Sequence, residues 1–188
     1  MASSTSTALI CVGLTALIIG GGFAGFYFLT YNSLVTTRWD VDLKLQNIYT
    51  QYQRKYDLIP QLIEIVESYT SLMTEWITNL TALRTEWLTA IAQGGVDGPA
   101  NASGELDQYL TLFIATAESY PSVEFDELWV DLMAEITGTE NRITNAKLDY
   151  NAAINRFNIM VSTFPGIWLA PSLGYTPGMF TTWDLPTS

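Results

Sequence analysis

The chain has no histidine and a single cysteine in its 188 residues. The first absence removes the commonest general base and the commonest zinc ligand from any catalytic scheme. The second excludes an internal disulfide, so Cys11 leaves the redox compartment unread. Residues Ala8-Leu9-Ile10-Cys11 also lack the small residue that bacterial lipid attachment normally wants just before the cysteine. Charge is scarce and lopsided, with 14% of residues charged and 8 basic residues against 19 acidic ones. Residues 57–140 hold 15 acidic residues and one basic one, Arg84. Nucleic acids and anionic lipid headgroups are held by Lys and Arg, so no nucleic-acid partner is expected. No phosphate loop, nucleotide fingerprint, cysteine cluster or nucleophile elbow occurs, and neither a cofactor, a metal nor an enzymatic activity is expected.

No charged side chain precedes Arg38, and the space is filled by the apolar stretch at 8–29, ALICVGLTALIIGGGFAGFYFL. As a helix its 22 residues reach roughly 33 Å at about 1.5 Å per residue, enough to cross a hydrocarbon core of about 30 Å. A basic n-region and a closing A-x-A site are both missing, which predicts retention rather than cleavage. Gly21 and Gly25 form a GxxxG pair, a pattern that permits close helix–helix approach in lipid. Phe26, Tyr27, Phe28 and Tyr31 then make an aromatic belt at the membrane boundary. Arg38 and Lys44 follow the span, and the preceding segment offers only the terminal amine. The positive-inside rule therefore puts the C-terminal domain in the cytoplasm and the N-terminus outside.

No turn signal separates this helix from the residues beyond it. From Val41, apolar residues recur at alternating steps of four and three: Val41, Leu45, Ile48, Tyr52, Ile59, Leu62, Val66, Tyr69, Met73, Trp76, Leu80, Leu83 and Trp87. Only Lys55 breaks the register. This is a stripe of coiled-coil or bundle type. Pro60 interrupts it and leaves two readings, a tight turn at Asp57-Leu58-Ile59 with Pro60 opening the next helix, or one long rod kinked near Tyr56. Residues 93–104, QGGVDGPANASG, read as a loop. A short helix is expected over 105–118 and a long one over 123–161, whose apolar positions are Leu128, Leu132, Ile136, Ile143, Leu148, Ile154, Phe157 and Met160. The fold class is all-α, a helical bundle joined to a transmembrane helix. The expected segments are a polar tail (1–7), the transmembrane helix (8–30), the bundle (31–165), and an irregular aromatic tail (166–188) packing on the bundle or a neighbour.

Particular residues carry a family resemblance. Tyr31-Asn32-Ser33-Leu34-Val35 and Gln53-Arg54-Lys55-Tyr56-Asp57-Leu58-Ile59-Pro60-Gln61-Leu62 closely resemble the two N-terminal signatures of the LemA family. Glu118-Ser119-Tyr120-Pro121, Gly138-Thr139-Glu140-Asn141-Arg142-Ile143, Tyr150-Asn151, Asn158, Phe164-Pro165, Ala170, Gly174-Tyr175 and Phe180 resemble its C-terminal half, in order. The resemblance implies one N-terminal membrane helix continuing into an antiparallel helical bundle of about four helices, and no known catalytic activity. Some relatives are associated with magnetosome membrane formation. The strong acidity departs from the usual pattern.

Candidate packing and assembly residues are Gly21, Gly25, Arg54, Asp57, Pro60, Glu140, Arg142, Tyr150, Asn151 and Asn158. Asp57 is expected to cap a helix or to pair with Arg142 or Arg156. Glu140, Asn141, Arg142, Tyr150, Asn151, Asn155 and Asn158 are expected to form a hydrogen-bond network along the last helix. Asp126, Glu127, Asp131 and Glu135 read as a solvated face. Asn79-Leu80-Thr81 and Asn101-Ala102-Ser103 match the glycosylation acceptor pattern, with Asn101 placed in the expected loop. Taken together, these features predict a non-enzymatic, membrane-anchored scaffold that forms homo-oligomers and organises or remodels the bilayer. The alternative is an outward-facing surface or filament subunit.

Overall fold

The computed structural model describes residues 2–69, 72–119 and 127–184. Every regular element among them is helical: α1 (Ala2–Tyr56), α2 (Ile59–Tyr69), α3 (Thr74–Gln93), α4 (Asp97–Glu118), α5 (Glu127–Ser162) and α6 (Gly166–Leu169), closed by a 3-10 turn (Ala170–Leu173). The fold is all-α, with one N-terminal apolar helix followed by a four-helix bundle. Helix α1 begins within the polar Ser/Thr segment and is not interrupted between the apolar stretch and Tyr56. The aromatic tail is only partly irregular, since α6 and the 3-10 turn lie within it.

At Pro60 helical bonding lapses for two residues. Asp57 N–H still reaches the Gln53 carbonyl at 2.9 Å, Leu58 N–H tightens onto Lys55 at 3.2 Å, and α2 starts at Ile59 with Pro60 in its first turn. A proline there removes a donor that has no intrahelical acceptor in any case.

The chain divides into two compact units. The first comprises Met1–Asp40 and Asn155–Met179, the second Val41–Ile154 and Phe180–Ser188. In the first unit, Leu34, Phe157, Val161, Gly166 and Ala170 are buried. The Ser33 and Thr37 hydroxyls lie 3.5 and 3.4 Å from the Met160 sulfur, and Arg156 pairs with Asp40 at 2.7 Å. A side chain at Gly166 would run into the Met160 backbone carbonyl, so the residue must be glycine for α6 to sit there.

The second unit buries nine positions of the predicted stripe, while Leu45, Trp76 and Leu83 are half-buried. Val41, Ile48, Tyr52, Ile59, Leu62, Val66, Met73, Leu80 and Trp87 are all buried. Rings fill its centre, with Tyr56 edge-on to Trp87 at 4.9 Å and Tyr52 at 5.5 Å from Tyr56 and 6.0 Å from Trp183. From Trp129 to Tyr150 the buried positions on α5 are Trp129, Leu132, Ile136, Thr139, Ile143, Ala146 and Tyr150, a three-four alternation that Ala153 and Ile154 continue. Leu128 and Leu148, expected on that face, are 60% and 48% exposed. The seam runs instead through Thr139, whose hydroxyl bonds the Ile136 carbonyl, and through small Ala146.

The 93–104 loop is shorter than expected. Only Gly94, Gly95 and Val96 lie outside helix, and both glycines take positive φ, 78° and 85°, where a β-carbon would be strained. Pro99 falls in the first turn of α4, where a missing N–H is tolerated. The expected start of the last helix at 123, and Asp126 with it, lie outside the described residues.

Candidate functional site

Lys55, the one break in the apolar stripe, holds the centre of the second unit's polar site. Its side chain is 3% exposed, with Nζ 2.8 Å from Asp107 Oδ1 and 3.1 Å from Glu140 Oε1. An ammonium taken out of water is costly unless partnered, and two carboxylates from α4 and α5 meet that requirement. Both stay in touch with solvent, Asp107 at 32% and Glu140 at 55% exposure, so the carboxylates are not stranded in turn. The Tyr56 hydroxyl lies 3.0 Å from Asp107 Oδ1 and 3.1 Å from the Ser103 carbonyl. Burial, followed by the Asp107 charge, pushes the Tyr56 phenol well above its ordinary range, which keeps it a donor. Tyr52 is raised for the same two reasons.

Beside this hub is a cavity of about 480 Å³ whose walls include Tyr52, Asn101, Thr144, Lys147, Trp183 and Asp184. The Lys147 ammonium stands 5.4 Å from the Tyr52 ring centre and 5.8 Å from that of Trp183. Burial lowers the Lys147 pKa from its ordinary value, and the Lys55 charge adds to this while Asp107 and Asp184 oppose it.

Tyr150, Asn151 and Asn158 of α5 bind backbone rather than one another. Asn151 Nδ2 donates to the Trp183 carbonyl at 2.8 Å and Oδ1 accepts from the Trp183 N–H at 2.9 Å, so one amide satisfies both main-chain groups of that residue. The Tyr150 hydroxyl donates to the Thr181 carbonyl at 3.0 Å, and burial pushes its pKa up to about 12. In the first unit Asn158 Oδ1 accepts from the Gly178 N–H at 3.0 Å. These side chains fasten the C-terminal segment, in place of the network expected along the helix. Asn141, Arg142 and Asn155 are exposed.

Asp57 pairs with neither Arg142 nor Arg156. It accepts from Gln53 Nε2 at 2.7 Å and from Arg84 Nη2 at 3.2 Å, while Arg84 Nε also reaches the Tyr56 carbonyl at 3.1 Å. The only base in the acidic stretch thus sits on the carbonyl end of α1, where a cation is favoured. Arg54 and Pro60 are exposed. Gly21 and Gly25 are exposed on α1 with nothing within 4 Å of where a β-carbon would stand. Asn79 and Asn101 are exposed on helices α3 and α4, not in loops, and Ser103 of the second acceptor triplet is buried with its hydroxyl on the Ala100 carbonyl. Glu127, Asp131 and Glu135 are exposed. Among the described residues no three Asp, Glu, His or Cys side chains gather to hold a metal.

The sequence reading missed the junction of Lys55 with Asp107. Its signal was a lysine at a core position of an otherwise apolar stripe, and a buried lysine implies a carboxylate facing it.

An all-α bundle following one long, exposed apolar helix is consistent with a membrane-associated structural protein. The chain belongs to the LemA family, whose pattern it matches over residues 44–185. That family is non-catalytic. The chain is also similar to the magnetosome proteins MamQ 1 and MamQ 2 of Paramagnetospirillum magneticum, at 24% identity over 191 residues covering 89% of this chain and 69% of each relative. A magnetosome protein MamQ of Magnetospirillum gryphiswaldense is 22% identical over 190 residues, with the same coverage.

Proposed function

We propose that the protein is a single-pass, membrane-anchored scaffold that self-assembles and organises or remodels the bilayer. One observation carries the reading. Every residue at 12–29 is exposed, including Leu17 at 73%, Ile18 at 74%, Phe23 at 70% and Leu29 at 73%. In water such a surface would be strongly unfavourable, at about 25 cal/mol per Å² of apolar area, whereas in hydrocarbon it is at home. The helix is the one candidate span among the described residues. The open faces of Gly21 and Gly25 support lateral assembly, and the magnetosome relatives support a structural role at a membrane. Arg38 and Lys44 after the span support a cytoplasmic bundle.

The test is reconstitution into liposomes, followed by electron microscopy and cross-linking. Oligomers and altered vesicle shape are expected, with Gly21→Leu/Gly25→Leu reducing the cross-linked fraction. Monomers in detergent together with smooth vesicles would overturn the scaffold reading. Protease cleavage of the bundle in intact cells would reverse the orientation and favour the surface-subunit alternative.

A further inference from the structure

We propose that residues 164–169 form a second membrane contact, an aromatic foot seated in the interfacial layer beside the end of the α1 span. This rests on reading α1 as a membrane helix and adds a lipid-binding surface from the other end of the chain. All of its parts belong to the first unit.

The foot is placed by rings. Phe164 stacks on Phe26 at 5.7 Å between centroids, and Trp168 meets the Phe164 ring edge-on at 5.1 Å. Trp168 and Leu169 share an apolar groove of about 200 Å³ with Phe23, Phe26, Tyr27 and Thr30. Phe26 lies three residues before Leu29, so at about 1.5 Å per residue the stack sits roughly 4.5 Å inside the end of the apolar stretch. That is the depth at which aromatic side chains collect in membrane proteins.

Exposure and charge agree with this placement. Phe164, Ile167 and Trp168 remain 62%, 47% and 76% exposed, so packing on α1 leaves most of their surface without a protein neighbour. Residues 157–179 contain no Asp, Glu, Lys or Arg. Nothing in the foot must keep an ionised group in water, and nothing in it repels an anionic headgroup. A second groove, of about 320 Å³, is lined by Phe26 and Phe164 together with residues that include Leu29, Met160 and Pro165, and none of its lining residues is charged. An uncharged, aromatic, outward-facing surface continuous with a span is matched by lipid, independent of headgroup charge.

The experiment uses the full chain carrying Cys11→Ser with one of Ile167→Cys, Trp168→Cys, Ile19→Cys or Leu148→Cys. Each variant is nitroxide-labelled in phosphatidylcholine vesicles and probed with oxygen and with a water-soluble nickel chelate. Ile19 reports the span, and Leu148, exposed on α5, reports water. The oxygen-to-nickel accessibility ratio at 167 and 168 is expected several-fold above that at 148 and below that at 19. It should be unchanged when anionic lipid is added. A ratio at 167 and 168 equal to that at 148, with 19 in lipid, overturns the foot and leaves the span standing. An aqueous ratio at 19 overturns both. Low access to both reagents at 167 and 168 overturns the lipid contact in favour of cover by another protein surface, a second copy included.

Discussion

The two units of this chain handle charge in opposite ways. Of the 8 basic and 19 acidic residues, the first unit holds only Arg38, Asp40 and Arg156. The second holds the remaining six basic and 18 acidic residues. Yet the second unit is the one that buries a lysine, and the first is the one that exposes large apolar side chains at 12–29 and 164–168. Charge count alone therefore does not say where electrostatics decides stability. In the acidic unit most carboxylates are solvated and contribute little, whereas Lys55 is withdrawn from water and depends on Asp107 and Glu140. In the first unit Asp40 pairs with Arg156, and these side chains are 35% and 57% exposed.

The largest way to break this comparison is to strip Lys55 of its partners. Asp107→Leu/Glu140→Leu leaves an ammonium buried without a counter-charge, and the expected loss is about 3–5 kcal/mol. Denaturant unfolding in detergent, followed by helical circular dichroism, measures it. Adding Lys55→Met to the double variant should restore much of the loss, because the buried charge is then gone. If the double variant is no less stable than the parent, the hub is not what holds α1, α4 and α5 together. The corresponding test in the first unit is steric. Gly166→Ala forces a methyl group against the Met160 carbonyl, an overpacking expected to cost about 1–3 kcal/mol. Wild-type stability for this variant would show that α6 packs less tightly on the end of α5 than described.

What was legible in the residues divides along the same line. The alternation from Val41 to Trp87 gave the helical core correctly, because burial of a stripe is a local, periodic property. The partners of Lys55 and Asp57 were not legible, since Asp107, Glu140 and Arg84 are 52, 85 and 27 residues away. No period encodes such pairings. Residues 93–104 read as a loop on four glycines and a proline, but Asp97 and Pro99 are favourable in a helix's first turn and the packing of α3 on α4 outweighs Gly98 and Gly104. On α5 the large Leu128 and Leu148 fit a helical period but stay exposed, whereas the smaller Thr139 and Ala146 are buried in the seam. Asn151 and Asn158, expected to join a network along the last helix, instead have main-chain groups of the C-terminal segment as partners.

Alkaline pH sharpens the contrast further. Tyr49, Tyr52, Tyr56 and Tyr150, all in the second unit, have raised pKa values, with burial the first cause in each. The unfolded chain would lose these protons near the ordinary value of 10.0, while the folded chain holds Tyr150's to about 12. The stability they contribute is complete below about pH 10 and falls as pH rises through the folded values. Lys147 runs the other way, since its lowered pKa means that the penalty for burying its charge is relieved over the upper part of its range. The four phenols outnumber it, so unfolding on raising the pH above about 10 should be accompanied by a step of phenolate absorbance. A smooth titration of all tyrosines with the helices intact would count against the buried cluster.

The smallest effect should come from the first unit's own ion pair. Asp40 and Arg156 lie 2.7 Å apart, but neither is withdrawn from water, and the pair must hold a flexible arginine in one geometry. Arg156→Ala is expected to cost at most about 1 kcal/mol, and less as salt is raised. The comparison then has a sharp form: in low salt the Asp107→Leu/Glu140→Leu loss should exceed the Arg156→Ala loss severalfold, and in high salt only the former should persist. If Arg156→Ala proves equally costly and equally indifferent to salt, the Asp40 pairing is a structural ion pair like that of Lys55. The first unit would then depend on charge as much as the second does, despite holding only three charged residues.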